Sequence, residues 1–250
     1  MIRIILHGCS GRMGNIITGI CEGDFDTQIV AGVDVFGSAY ADYPVYRSLE
    51  ECPEADVIID FSTAAAIDEL LGYAAARKIP VVVCTTGLSE EQTKELHKTA
   101  EKTAVLKSAN MSVGINLLEV LIAQAAPKLA AAGFDIEIVE KHHRTKIDAP
   151  SGTAIALADA ANKALGGDYE YVYDRSVRRE TRPVKEIGLS AVRGGTIVGD
   201  HDVIFAGQDE VITLSHRAYS RAVFGKGAVE AAKFLAGKEA GFYTMGDVLS

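Results

Sequence analysis

IRIILHGCSGRMG, residues 2–14, decides how the first half of the chain folds. Residues 2–7 are an apolar run of strand length. Met13, Ile16, Ile17 and Ile20 then recur at the spacing of one helix face. Between them, Gly8, Gly11 and Gly14 form G-x-x-G-x-x-G, a spaced variant of the dinucleotide-binding turn. Glycine is needed there on steric grounds. The chain turns tightly, backbone touches a pyrophosphate, and helix packs on strand. Free N–H groups and the helix dipole then hold the anion. Asp34 ends the next apolar run, residues 29–34, twenty residues past Gly14. At that distance a carboxylate accepts hydrogen bonds from the adenosine ribose hydroxyls. Val35 and Phe36 follow it where a cation for a 2′-phosphate would stand, so the reading favours NADH over NADPH.

The alternation continues outward. Residues 57–61, 81–84 and 104–108 read as further buried strands. Ile67, Leu70, Leu71 and Ala74 mark a helix face, and Ser89 with Gln92 a capping box. Strands apolar throughout, separated by amphipathic helices, predict a parallel sheet covered on both faces. The pattern then changes. A long helix is expected over 113–132 and a strand over 134–141. A helix with Ala154, Leu157, Ala158, Ala161 and Leu165 on one face should stop at Gly166-Gly167. Three strand-like runs follow, 187–193, 196–206 and 210–216. Gly194-Gly195 and Gly207-Gln208-Asp209 between them read as hairpin-type loops. The second half is thus α+β with an antiparallel or mixed sheet. A last helix, with Ala228, Ala231, Ala232 and Leu235 on one face, can return to the first domain.

The chain has 250 residues, enough for one large domain or two modest ones. Lys and Arg total 25 against 34 Asp and Glu, a net charge of −9. Such a mean field repels phosphate, which argues against nucleic-acid and anionic-membrane partners. An anionic ligand therefore needs a local basic pocket. No uncharged apolar run reaches the ~20 residues of a membrane span. Cys9, Cys21, Cys52 and Cys84 form no C-x-x-C pair and read as free thiols of a reducing cytoplasm.

Residues 140–153, EKHHRTKIDAPSGT, are the densest polar signal. Adjacent His142 and His143 point to opposite sides of an extended chain, so they take different roles. Lys146 brings a cation close by. Pro150, Ser151, Gly152 and Thr153 open the next helix, whose free N–H groups seat a carboxylate or phosphate. The combination reads as a pocket for a small anion with a proton donor beside it. A His142–His143 metal pair lacks a third ligand, so no metal is expected. Ser151 reads as an N-cap, since no G-x-S-x-G elbow surrounds it.

At this cluster the chain resembles the 4-hydroxy-tetrahydrodipicolinate reductase family, also called dihydrodipicolinate reductases, of the diaminopimelate branch of lysine synthesis. EKHHRTKIDAPSGTA resembles the family's signature segment and HGCSGRMG its phosphate loop. VIIDFS, CTTG and SANMSVGIN resemble later strand ends, RGGTIVGDHDVIFAG the second-domain strands and GKEAGFYTMGDVL the C-terminus. The resemblance implies an α/β protein with a Rossmann-type parallel-sheet domain and a smaller α+β domain with a mixed sheet. The first, residues 1–111 plus 217–250, would bind the dinucleotide. The second, residues 112–216, would bind substrate and assemble a homotetramer. The implied reaction is NAD(P)H-dependent reduction of 4-hydroxy-tetrahydrodipicolinate, a small dicarboxylate, to tetrahydrodipicolinate. His142 resembles the proposed proton donor or acceptor and Lys146 its partner. His143 resembles a contact to one substrate carboxylate, and Gly152 and Thr153 N–H donors to the other. Gly8, Cys9, Ser10, Gly11, Arg12, Met13 and Asp34 resemble the cofactor loop and ribose acid. Cys84, Thr85 and Thr86, with Ser108, Ala109, Asn110 and Met111, resemble segments along the nicotinamide. Many members carry Arg after the ribose acid. Val35 stands there in this chain, which leaves NADH favoured and NADPH as the alternative.

Overall fold

β1 (Ile2–His7) grows from the apolar run after Met1, and Ile4, Ile5 and Leu6 are fully buried. It opens a computed structural model that describes residues 1–36 and 42–250. The chain continues through α1 (Arg12–Glu22), β2 (Thr27–Val33), β3 (Val45–Tyr46), β4 (Val57–Asp60), α2 (Ile67–Arg77), β5 (Val81–Val83), α3 (Glu90–Ala100) and β6 (Ala104–Leu106). α3 begins at a true capping box: Gln92 N–H donates to Ser89 Oγ at 3.2 Å, and Ser89 N–H to Gln92 Oε1 at 3.1 Å.

α4 (Val113–Ala131), β7 (Asp135–His142), α5 (Gly152–Ala164), β8 (Glu170–Tyr173), β9 (Glu186–Arg193), β10 (Gly199–Ala206) and β11 (Val211–Ala218) follow. α6 (Ala222–Leu235), β12 (Gly241–Tyr243) and α7 (Met245–Val248) close the chain. Contacts divide it into two units, Met1–Ser112 with Arg221–Ser250, and Val113–Ser220.

The first unit holds a seven-stranded sheet of order β12-β6-β5-β4-β1-β2-β3, with every neighbour pair parallel. Alternate residues feed two cores, as the two-residue strand period demands. Ile4, Leu6, Ile59, Val82 and Leu106 pack with Ile17 of α1 and Ala228 of α6. Ile5, Ile58, Val81, Val83 and Val105 pack with Leu70 of α2 and Leu96 of α3. Burial on both faces is why these strands read as unbroken apolar runs. β1 connects to β2 on one side, and the chain then crosses back from β3 to place β4 on the other side of β1, a switch in strand order that opens a crevice at the carboxyl ends of those strands.

The second unit holds a mixed sheet of order β11-β10-β7-β9-β8. β7 runs parallel to β9 and antiparallel to β10. Ile136, Ile138, Val203 and Phe205 form its core with Leu118, Ile122 and Leu157 of the two helices. The loop at Gly207 is a hairpin, with Ala206 opposite Val211. The loop at Gly194-Gly195 is not. β7 lies between β9 and β10, so this loop arches over the end of β7. Gly194 N–H donates to His142 O at 2.9 Å, and Arg144 N–H to Gly195 O at 3.2 Å. The glycines satisfy the backbone of the arch, not a two-residue turn. Among the described residues, α4 is the one helix long and apolar enough by length and composition to cross a membrane. It carries Glu119 and Lys128, and it buries Leu118, Ile122 and Ala126 in this core.

Candidate active site

In the first unit the Gly8–Gly14 turn sits where β1 gives way to α1. Gly8 has φ +81°, and a Cβ on it would lie 2.6 Å from Phe61 O. A Cβ on Gly14 would fall 2.2 Å from Cys9 O. Both positions therefore exclude any side chain. Gly11 caps α1 without a side-chain hydrogen bond, which leaves the first-turn N–H groups for an anion. A cleft of about 560 Å³ opens here, lined by His7, Gly8, Ser10, Gly11, Asp34 and Ser62 among others. Asp34 Oδ2 accepts Ser10 N–H at 3.1 Å and Oδ1 accepts Phe36 N–H at 3.0 Å, which pins the carboxylate at the rim. These residues fit a dinucleotide: a side-chain-free cradle, the N–H end of α1 and a carboxylate at the rim lie together. Cys9 is buried beneath the turn, where burial pushes its thiol pKa up. Arg12 and Met13 begin α1 outside the cleft lining.

The other nucleotide candidates follow β5 and β6 in the same parallel sheet, and none of them lines this cleft. Cys84 N–H donates to Asp60 O at 2.9 Å, and Lys107 Nζ to Thr85 O at 2.8 Å. Burial holds the Lys107 pKa down and the Cys84 pKa well up. Thr86 is exposed at the end of that turn, as is Ala109 in the next. Ser108 Oγ accepts Met245 N–H at 2.7 Å, Asn110 Oδ1 accepts Ser112 N–H at 2.8 Å, and Met111 is buried. Beneath the cleft the structure adds His7 and Asp60, which pair in register on β1 and β4. His7 Nδ1 lies 3.0 Å from Asp60 Oδ1, and the Ser62 hydroxyl donates to that oxygen at 2.5 Å. Burial pushes the Asp60 carboxyl up, but His7 and Ser62 outweigh it and hold the pKa below its ordinary value.

In the second unit, strand alternation buries Ile136, Ile138, Glu140 and His142 on one face of β7. A carboxylate thus stands in phase with core isoleucines. Arg193 grips it with a fork, Nη2 to Oε1 at 2.6 Å and Nη1 to Oε2 at 2.7 Å. His142 Nδ1 lies 2.6 Å from Oε2, and Ser151 N–H donates to Oε1 at 3.0 Å. Burial opposes ionisation of Glu140, yet these donors hold its pKa below the ordinary carboxylate value. Ser151 caps α5 through its hydroxyl, which accepts Ala154 N–H at 3.1 Å. Gly152 and Thr153 are the first helical residues after it. His201 packs edge-on to His142, with centroids 5.2 Å apart, and its Nε2 is 3.0 Å from Ser151 Oγ. Burial first, and the neighbouring His142 second, push the His201 pKa down to about 4.

Glu140 therefore joins His142 to the start of α5. His143 and Lys146 lie in the loop between them. His143 Nδ1 is 2.8 Å from Thr145 Oγ1, and Lys146 Nζ donates to Asp148 at 2.9 Å. Arg193 also donates to Asp148 O at 2.6 Å, which ties that loop to β9. Glu140, Arg193 and His201 were not singled out from the sequence as site residues. The glutamate had a readable signal, a charge at the apolar phase of I-E-I-V-E. The other two depend on sheet order: Arg193 stands opposite His142 only because β9 pairs with β7.

Comparison with known proteins agrees across the chain. The family models for the N- and C-terminal parts of dihydrodipicolinate reductase match residues 2–111 and 114–249. A 4-hydroxy-tetrahydrodipicolinate reductase of Caldanaerobacter subterraneus subsp. tengcongensis is 54% identical, covering 100% of this chain and 98% of its own. The Zymomonas mobilis enzyme of that name is 43% identical, covering 99% and 97%. Among solved structures, a dipicolinate-bound dihydrodipicolinate reductase from Paenisporosarcina sp. TG-14 superposes with TM-score 0.78 at 25% identity, covering 98% of this chain and 97% of that one. The chain is thus a member of the dihydrodipicolinate reductase family, an NAD(P)-dependent oxidoreductase lineage.

Proposed function

We propose that the chain reduces 4-hydroxy-tetrahydrodipicolinate to tetrahydrodipicolinate in the diaminopimelate route to lysine, with NADH as the favoured hydride source. The observation that carries the reading is the buried Glu140 cluster, which fixes a proton-transfer imidazole and a helix N-terminus on one carboxylate. Its relatives are reductases of that name, and dipicolinate, a ring dicarboxylate, is bound in the Paenisporosarcina structure. Residues 1–111 with 217–250 are the dinucleotide-binding part in this reading. Residues 112–216 bind substrate and build a cytoplasmic homotetramer.

The nucleotide, when bound, supplies the hydride. Gly8, Cys9, Ser10, Gly11, Arg12 and Met13 would form the turn that cradles its pyrophosphate, with Arg12 and Met13 offering first-turn N–H groups of α1, and Asp34 would accept from its ribose. Cys84, Thr85, Thr86, Ser108, Ala109, Asn110 and Met111 exclude water around the nicotinamide. Gly152 and Thr153 N–H groups seat one substrate carboxylate and His143 the other. Negative charge grows on the conjugated imine as it is reduced. Lys146 Nζ and, when its ring is protonated, His142 Nε2 are donors for that charge, and preorganised groups outperform water. Asp34 followed by Val35 leaves a 2′-phosphate without a partner, which supports NADH over NADPH.

The test is NADH oxidation with freshly generated substrate. Wild type should turn over and His142→Ala should lose ~10²–10⁴-fold in kcat, the span of general acid catalysis, with NADH affinity intact. Absence of oxidation by wild type would sink the reaction. Unchanged turnover in the variant would sink the role of His142.

A further inference from the structure

We propose that Glu140 is a positioning residue that dictates which nitrogen of His142 carries the exchangeable proton and, through its other oxygen, anchors the carboxylate seat on α5. This rests on the reading of His142 as the proton-transfer group. Glu140 is fully buried on the core face of β7, where an apolar side chain would pack at lower desolvation cost. The position is nevertheless a carboxylate with every oxygen engaged. Arg193 supplies two N–H donors and Ser151 one. An ionised carboxylate only accepts, so His142 Nδ1 at 2.6 Å must bear a proton. The ring can then gain or lose its proton at Nε2 alone.

The groups around the ring suit that task. Arg193 on β9 pairs with Glu140 and balances its charge. His201 on β10 is edge-on and uncharged above pH about 4, so it adds no competing cation. His216 faces His201 across the β10–β11 ladder. Lys146 and Asp148 pair in the loop that follows. Oε1 meanwhile holds Ser151 N–H, the residue before Gly152 and Thr153. One carboxylate thus sets the proton donor and the anion seat in a common frame.

The experiment is Glu140→Gln in the full chain. With its oxygen in the Oε1 place the amide keeps Ser151 N–H and one Arg193 N–H; its NH₂ in the Oε2 place gives up the second Arg193 N–H and turns a donor toward His142 Nδ1, which forces the Nε2–H tautomer. Nitrogen NMR of ¹⁵N-histidine-labelled protein, without substrate, should show Nδ1–H in wild type and Nε2–H in the variant. Turnover should fall roughly 10²–10⁴-fold, with the His142 limb of the pH profile lost and NADH affinity kept. In a His142→Ala background the same change should cost nothing further, because the two act as one unit. An Nε2–H ring in wild type overturns the proposal, and needs no variant to fold. So does an additive loss in the double variant, the mark of a merely structural role. If His142→Ala keeps turnover while the tautomer moves as stated, the reaction role fails and the anchor stands.

Discussion

The nucleotide cleft and the Glu140 cluster are built from opposite materials. The cleft is made of backbone: N–H groups, a positive-φ glycine and positions where no Cβ fits. The cluster is made of buried side-chain charge, with three donor groups on one carboxylate. The first should therefore fail on added volume and the second on altered charge. The largest effect is expected at Lys146. Lys146→Ala should lower kcat ~10²–10⁴-fold while NADH fluorescence titration stays unchanged. A matching loss of NADH binding would blur the contrast between the two regions.

Next is Gly14→Ala, which drives a methyl into Cys9 O. It should cost on the order of 3 kcal/mol in urea unfolding and weaken NADH binding. Cys9→Ser in the same turn adds no volume, and near-equal losses in the two would break the steric account.

The third test sharpens the charge side. His201 has a folded pKa of about 4 against an ordinary 6.5. Between those values the unfolded chain binds the proton and the folded chain does not, so stability falls as pH drops from about 6.5 toward 4. Urea unfolding of the second unit should lose roughly 2 kcal/mol between pH 6.5 and pH 5, and His201→Asn should flatten that slope. Equal slopes in both proteins would remove His201 as the cause.

Smaller still, Val35→Arg should move preference toward NADPH by about tenfold, or ~1.4 kcal/mol, read from the ratio of the two dissociation constants. The smallest effect belongs to the half-exposed Arg217, 3.9 Å from Asp200. Arg217→Gln should shift stability by about 0.5 kcal/mol or less.

The two regions also differed in how far they could be read from the chain. The Gly8–Gly14 turn and Asp34 lie within one strand-helix-strand stretch, so local spacing was enough to group them, and the structure sets Gly8, Ser10, Gly11 and Asp34 around one cleft. The capping box at Ser89 was legible for the same reason. Gly194-Gly195 misled because a glycine pair signals a turn but not the strands it joins. Local spacing could not group Arg193 and His201 with the cluster, since their partners are 53 and 50 residues away.

Local chemistry along the chain was sufficient for the period of each strand and helix, the steric demand for glycine and the carboxylate of Asp34 at its set distance from the turn. Those properties depend on near neighbours, whose geometry is fixed by bond lengths and φ/ψ limits. Only the tertiary structure decided that β7 enters between β9 and β10. That choice brings Arg193 and His201 to the end of β7 and turns a glutamate in an apolar strand into the hub of the cluster. Pairing of distant strands is set by the burial of whole faces, and no short stretch of residues carries that information.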